Sequence, residues 1–178
     1  MLTSTFATIA SLFMLFAPPP STPPAAAPKI PDAVFVAEKP KDPKGVAEVR
    51  KTAKKGDTVV IAAKIGGRAE PFVKNRAVFL VADRALKSCD QIPDDPCKTP
   101  WDYCCEPPES KKINMMTVQV VGDDGKPIKM GAQSTGGLEP LALIVFEGTV
   151  AEIDDKGTFI VNAKKIFVEK ADKKSPAK

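Results

Sequence analysis

The chain has 178 residues, of which 43% are hydrophobic and 27% are charged, and its formal net charge is +4. This length fits one domain of ordinary size, and the composition excludes a collagen-like chain, a continuous coiled coil and a polytopic membrane protein. Half of the 18 prolines lie within the first 43 residues, so we expect an unfolded leading segment followed by a folded domain.

The first element is a signal-like segment over residues 1–27, with an uninterrupted apolar stretch at 6–17. About a dozen apolar residues are too few to span a bilayer of about 30 Å, and they fit the apolar region of a secretory signal better. The basic start of a typical signal is missing, because no lysine or arginine precedes Lys29. We expect export to the periplasm or outside the cell. The alternatives are a cytoplasmic chain and a retained segment, and only the retained segment would bring the protein to a membrane.

A proline- and lysine-rich linker is predicted over residues 28–45, a folded domain over 46–168 and a polar basic tail over 169–178. Basic and acidic side chains nearly balance within the domain, whereas a protein that follows a phosphate backbone usually carries a basic surface. The charges are locally uneven, with residues 64–87 mainly basic and 88–109 mainly acidic. These two segments form either an internal salt-bridged surface or a surface that docks a partner.

The domain begins with a short amphipathic helix at 46–55, where Val46, Val49 and Ala53 share one face and Gly56 follows as a stop. Five runs rich in β-branched and aromatic residues predict strands at 58–65, 76–82, 115–121, 141–153 and 158–168. The absence of a second long helical pattern argues against a parallel sheet built from βαβ units.

Alternating apolar residues give three of these strands a core face. The predicted core positions are Val59, Ile61, Ala63 and Ile65 in the first strand, Met116, Val118 and Val120 in the third, and Ile144, Phe146, Gly148 and Val150 in the fourth. Five short antiparallel strands must hide their edges, so the sequence predicts an all-β, closed or nearly closed five-stranded barrel.

The runs TVVIAAKIGG, RAVFLVAD, TVQVVGDDG, LEPLALIVFEGTVAEI and GTFIVNAKKIFV resemble, in that order, the OB-fold of the anticodon-binding type. Asp83 at the end of the second strand and Gly148 within the fourth match that pattern. The resemblance implies a Greek-key barrel that binds nucleic acid or oligosaccharide on the face of its second and third strands. The chain departs from the pattern at 126–140, where an irregular segment replaces the usual helix, and at 83–114, where an insertion separates the second and third strands.

The insertion contains every cysteine of the chain, namely Cys89, Cys97, Cys104 and Cys105. With its TPWDYCCEPPE motif, it also resembles a group of uncharacterised exported bacterial proteins. The chain has no histidine, which excludes Cys/His zinc sites, imidazole ligation and the usual Cys-His and Ser-His-Asp catalytic sets. We expect two disulfides that join Cys89 and Cys97 to Cys104 and Cys105 in either order, and no metal or cofactor. A metal or copper thiolate site and catalytic thiols are the alternatives.

The insertion also holds Trp101 and Tyr103, the only tryptophan and the only tyrosine of the chain. They form either an exposed recognition tip or a small core of the loop itself. The acidic side chains around them, which include Asp102, lack the spacing of a calcium loop and are expected to be solvated.

The predicted function is a non-enzymatic binding or scaffolding module of the bacterial cell envelope, with an envelope protein or polymer as its partner. Nucleic-acid or oligosaccharide binding is the first alternative, and a thiol-based metal or redox site is the second. Besides the two aromatic residues, the candidate ligand-binding residues are Lys64, Arg68, Lys74, Arg76, Thr117 and Gln119.

Overall fold

The computed structural model describes residues 29–169. The predicted signal-like segment at 1–27 lies outside the described residues, as does the predicted tail beyond Glu169. Across the described part of the chain, no helix has the length and apolar character needed to cross a lipid bilayer.

The described chain contains two short α-helices and five β-strands. They are α1 (Val46–Thr52), β1 (Thr58–Ile65), β2 (Val78–Asp83), α2 (Pro108–Asn114), β3 (Met115–Gln119), β4 (Leu143–Ile153) and β5 (Phe159–Val168), with single 3-10 turns at Asp32–Val34 and Cys89–Gln91. The predicted all-β architecture is confirmed, and the cysteine-rich insertion lies between β2 and β3 as expected.

The five strands close into a barrel in the order β1-β2-β3-β5-β4, with β4 also paired to β1. This order is that of an OB-like Greek-key barrel. The expectation of antiparallel strands throughout is wrong at one seam, because β3 and β5 pair in parallel. Closure of the barrel requires this pairing. Because β4 lies between β1 and β5, and β2 lies between β1 and β3, the edges left to join are those of β3 and β5. Each of these two strands is separated from β1 by two antiparallel pairings, so they run in the same direction.

The barrel interior is filled by the alternating apolar residues that the sequence assigns to it. Ile61, Val118 and Phe146 are fully buried, and so is Phe79 of β2, a strand for which the sequence predicted no core face. The segment between β3 and β4 consists of turns and short bridges, in agreement with the irregular connection expected there. Burial of such side chains stabilises the barrel by about 1.5–3 kcal/mol each relative to exposure.

The segment at 29–45 differs from the linker expected there, because it packs along the barrel. Ile30 is fully buried, Phe35 forms a parallel bridge with Ile166, and Lys44 forms one with Ile61. The high proline content obscured these apolar anchors, which extend the core cluster beyond the five strands.

Gly148 lies where β4 shifts its register against β5. A Cβ atom at this position would collide with the carbonyl oxygen of Asn162 and lie 2.7 Å from a methyl group of Val161. We therefore expect Gly148→Ala to lower the free energy of unfolding by about 2 kcal/mol in urea titrations followed by circular dichroism. Gly131→Ala is the control, since the nearest atom is 4.0 Å from its added Cβ. Equal losses for the two variants would contradict this account.

Candidate functional site: the Trp101 groove and the cysteine loop

Lys64 of β1 holds the start of the insertion against the barrel. Its ammonium donates hydrogen bonds to Ser88 Oγ at 2.9 Å and to Gln91 Oε1 at 3.0 Å. Ser88 and Gln91 also form a capping box around the 3-10 turn that begins at Cys89. Burial lowers the pKa of Lys64, a shift that the charge of Asp90 opposes. Lys64 was a candidate ligand-binding residue, but the structure places it in the interior, where it positions Cys89.

Tyr103 forms the centre of a second, small core beneath the insertion. It is fully buried and packs with Ala82 and Leu86. Burial raises the pKa of its hydroxyl well above the ordinary value. Gly66 permits this close packing, because a Cβ there would collide with the carbonyl oxygen of Trp101 and approach the Tyr103 ring to 2.9 Å. Tyr103 therefore lies in the loop core, which was one of the two readings offered by the sequence.

Trp101 lies at the surface, at one wall of a groove. Its indole nitrogen donates to the Ala69 carbonyl at 2.9 Å, and its own carbonyl accepts from Gly67 N–H at 2.7 Å. The groove has a volume of about 460 Å³ and is lined by residues 69–75 of the β1–β2 loop, by Trp101, and by Gly131, Gln133 and Pro140 of the β3–β4 connection. We call this feature the Trp101 groove.

The Trp101 groove combines apolar and charged side chains. Val73 is one of the exposed large hydrophobic residues, at 39% exposure. Glu70 and Lys74 lie on the same loop with their charged atoms 3.7 Å apart. The groove thus unites Lys74 and Trp101, two of the residues that the sequence singled out.

The other predicted ligand-binding residues are dispersed. Arg68 and Arg76 are exposed on the same β1–β2 loop as Lys74. Thr117 and Gln119 point outward from β3, as alternation predicts, and Gln119 donates to Asn162 Oδ1 of β5 at 2.7 Å. Within residues 29–169, no ion pair joins the basic segment 64–87 to the acidic segment 88–109.

The sulfur atoms of the four cysteines lie close together, but none of them is at bonding distance from another. Cys104 Sγ is 3.7 Å from Cys89 Sγ, 3.6 Å from Cys97 Sγ and 3.8 Å from Cys105 Sγ, whereas a disulfide requires about 2.0 Å. The predicted disulfides are therefore not formed in this structure.

The carboxylate of Asp102 lies close to three of these thiols. Asp102 Oδ1 is 3.7 Å from Cys97 Sγ and 4.0 Å from Cys89 Sγ, and it accepts the Cys104 backbone N–H at 2.8 Å. The ligand atoms of Cys89, Cys97, Asp102 and Cys104 all lie within 4.8 Å of one another. We call these four residues the Cys-Asp cluster.

Electrostatics within the Cys-Asp cluster disfavour a bare thiolate at Cys104. The neighbouring sulfurs, that of Cys97 first, raise the pKa of the Cys104 thiol far above its usual value. Burial raises the pKa of Asp102, but hydrogen bonds from Thr99 and Cys104 outweigh it and lower the pKa overall. These pKa shifts favour a protonated Cys104 thiol beside an ionised Asp102 carboxylate.

Sequence reasoning missed Asp102 as a partner of the cysteines and Val73 as a groove residue. Asp102 precedes Cys104 by two positions, a spacing typical of an aspartate that accepts the backbone N–H two residues on; this was the available signal. Val73 carried no such signal, since a single valine near a proline marks nothing in a sequence.

No protein-family model, curated protein or solved structure matches this chain.

Proposed function

We propose that the chain is a non-enzymatic binding module of the bacterial cell envelope that holds a segment of a partner protein in the Trp101 groove. The observation that carries the proposal is that the only tryptophan lines the same groove, of about 460 Å³, as the exposed Val73. Exposed apolar side chains next to a tryptophan are typical of protein-binding hot spots. The envelope location rests on the signal-like segment at 1–27 and on the resemblance of the TPWDYCCEPPE loop to exported bacterial proteins.

A polypeptide fits the charges of the groove better than a polyanion does. Glu70 lies 3.7 Å from Lys74 and reduces the positive field that a phosphate chain would need. A peptide segment carries donors, acceptors and charges of both signs, so it can pair with Glu70, Lys74 and the amide of Gln133 at the groove edge.

Nucleic-acid binding is the second candidate function. It is favoured by three exposed cations on the β1–β2 loop, Arg68, Lys74 and Arg76, and by the resemblance to anticodon-binding barrels. The strand face offers little for bases to stack on, because the aromatic side chain of Phe79 is fully buried in the barrel. We rank this function below protein binding for that reason.

The proposal is tested by placing a photo-crosslinking amino acid at Val73 in the native host. We expect one defined protein adduct in the envelope fraction, and we expect Trp101→Ala to reduce its yield about tenfold or more, as the loss of an aromatic hot spot does. The indole hydrogen bond to Ala69 is lost in this variant, so its thermal unfolding is measured in parallel.

Ile113 is the matched control position, because it is exposed at 48% and lies on α2, outside the groove. Identical adducts from Val73 and Ile113 would contradict the groove assignment. An adduct with nucleic acid, weakened steeply by salt and by Arg68→Ala and Arg76→Ala, would place the second candidate first.

A further inference from the structure

The Cys-Asp cluster has the dimensions of a tetrahedral zinc site. With zinc–sulfur bonds of about 2.3 Å, two thiolates on one tetrahedral ion lie about 3.8 Å apart, and a thiolate and a carboxylate oxygen lie about 3.5 Å apart. The corresponding distances are 3.6 and 3.7 Å between Cys104 Sγ and the sulfurs of Cys97 and Cys89, and 3.7 Å between Cys97 Sγ and Asp102 Oδ1. Cys89 Sγ and Asp102 Oδ1 are 4.0 Å apart, and no two of the four ligand atoms are more than 4.8 Å apart. Shifts of up to about 1 Å in these separations would therefore let the four side chains ligate one ion.

The cluster is also held in place by groups that are not ligands themselves. The Thr99 hydroxyl donates to Asp102 Oδ2 at 2.8 Å, and the Cys104 N–H donates to Oδ1, so the carboxylate is fixed in orientation. Ser88 accepts a hydrogen bond from the Lys64 ammonium, and this contact anchors the turn that carries Cys89. Such outer contacts are what orient the ligands of a metal centre.

The donor set selects among cations. Three thiolates exclude calcium and magnesium, which require oxygen ligands. One carboxylate beside three thiolates suits zinc, a borderline ion that accepts both donors, better than copper(I), which prefers sulfur alone.

Cys105 lies outside this set. Its thiol donates to Asp95 Oδ2 at 3.1 Å. Cys89, Asp95 and Cys105 form a second close group, but that group has three ligands and shares Cys89 with the first. The Cys-Asp cluster is the more complete one because it supplies all four corners of a tetrahedron.

We infer that Cys89, Cys97, Cys104 and Asp102 bind one structural zinc ion, which fixes the insertion and the neighbouring Trp101. Two of the ligands flank Trp101 closely in the chain, at 97 and 102. The inference is independent of the partner proposed for the Trp101 groove, because it concerns the loop that positions the groove wall. It replaces the two disulfides expected from the sequence with a metal link.

The test uses the full chain purified from its native host without chelator. We expect about one zinc per chain by elemental analysis and a tetrahedral thiolate spectrum after exchange with cobalt(II). The exposed Cys105 should be alkylated in the native chain, and the three ligand thiols only after denaturation with chelator. The alkylated thiols are counted by intact-mass spectrometry, which also reports whether residues 1–27 remain on the chain.

Three variants separate zinc from disulfides. Asp102→Asn is expected to weaken zinc binding at least about tenfold in competition with a chromogenic chelator, while Cys105→Ser leaves it within about twofold of the parent. Cys104→Ser should abolish it. Two disulfides would instead need Cys105 and would be indifferent to Asp102.

Native protein with all four cysteines oxidised, which also takes up no zinc after reduction, would overturn the inference. So would a zinc affinity that falls with Cys105→Ser and is unchanged by Asp102→Asn, since that result would assign the site to four cysteines. If Asp102→Asn unfolds the chain, Thr99→Val provides the second variant, since it removes the hydroxyl that donates to Asp102 Oδ2 and that lies 3.9 Å from Cys97 Sγ. A zinc affinity unchanged in a folded Thr99→Val chain would contradict the assigned role of Asp102.

Discussion

Arg50→Ala is expected to lower the free energy of unfolding by about 3 kcal/mol. The guanidinium of this α1 residue donates to the carbonyl oxygens of Ile113 at 3.1 Å, Met115 at 2.7 Å and Thr158 at 3.3 Å. The central carbon atom of the guanidinium, Cζ, also lies 4.9 Å from the centre of the Phe159 ring. Ile113 lies in the last turn of α2 and Met115 is its C-cap residue, where carbonyl groups lack partners within the helix.

Arg50 therefore connects α1, α2 and the β4–β5 hairpin through one planar group. Burial lowers the pKa of its guanidinium, in keeping with its enclosed position. Arg50→Lys should recover only part of the loss, because an ammonium cannot reproduce the fork of donors. Arg68→Ala is the control: this arginine is exposed, and its loss should change stability by less than about 0.5 kcal/mol. Urea titrations of the three variants decide the matter, and equal midpoints for Arg50→Ala and Arg68→Ala would refute the assigned role.

Asp83→Ala is expected to cost a similar amount, about 3 kcal/mol, for a different reason. Asp83 is 7% exposed, and its carboxylate accepts the N–H groups of Ala47 at 3.0 Å and Ala85 at 2.9 Å. Ala47 lies in the first turn of α1, whose N-cap residue, Gly45, offers no side chain to cap it. Asp83 thus caps a distant helix from the end of β2, and its loss leaves two N–H groups without their acceptor.

Asp83→Asn should show an intermediate loss, because its amide oxygen can still accept one of the two N–H groups. Asp32→Ala serves as the control, since Asp32 is exposed and forms only a surface ion pair with Lys29 in the described part of the chain. Thermal unfolding would contradict the capping role if Asp83→Ala and Asp32→Ala shifted the midpoint equally.

Asp83 and Gly148 illustrate how a sequence pattern acquires a physical cause. Both were noted as positions that match a family of barrels. The structure shows that the carboxylate of Asp83 caps α1, and that Gly148 allows the close approach of β5. The aspartate and the glycine could be recognised in the sequence, but their partners could not. Ala47 lies 36 residues from Asp83, and Asn162 lies 14 residues from Gly148.

The cysteine loop shows the limit of local reasoning most clearly. Cysteine spacing and the expected export of the chain favoured disulfides, and nothing in the spacing pointed to Asp102. The fold brings Asp102 to three thiols because Lys64 anchors the turn at Cys89 and Tyr103 fills the core beneath the loop. Lys64 and Tyr103, predicted as candidate ligand-binding residues, instead support the Cys-Asp cluster and the Trp101 groove from below.

The sequence by itself determined the strands, their buried faces and the position of the insertion, because alternation of apolar residues and turn residues act over a few neighbours along the chain. The tertiary structure decided the parallel pairing of β3 with β5, the packing of residues 29–45, the Trp101 groove and the Cys-Asp cluster. Each of these depends on contacts between distant segments, which closure of the barrel creates and which no local pattern encodes.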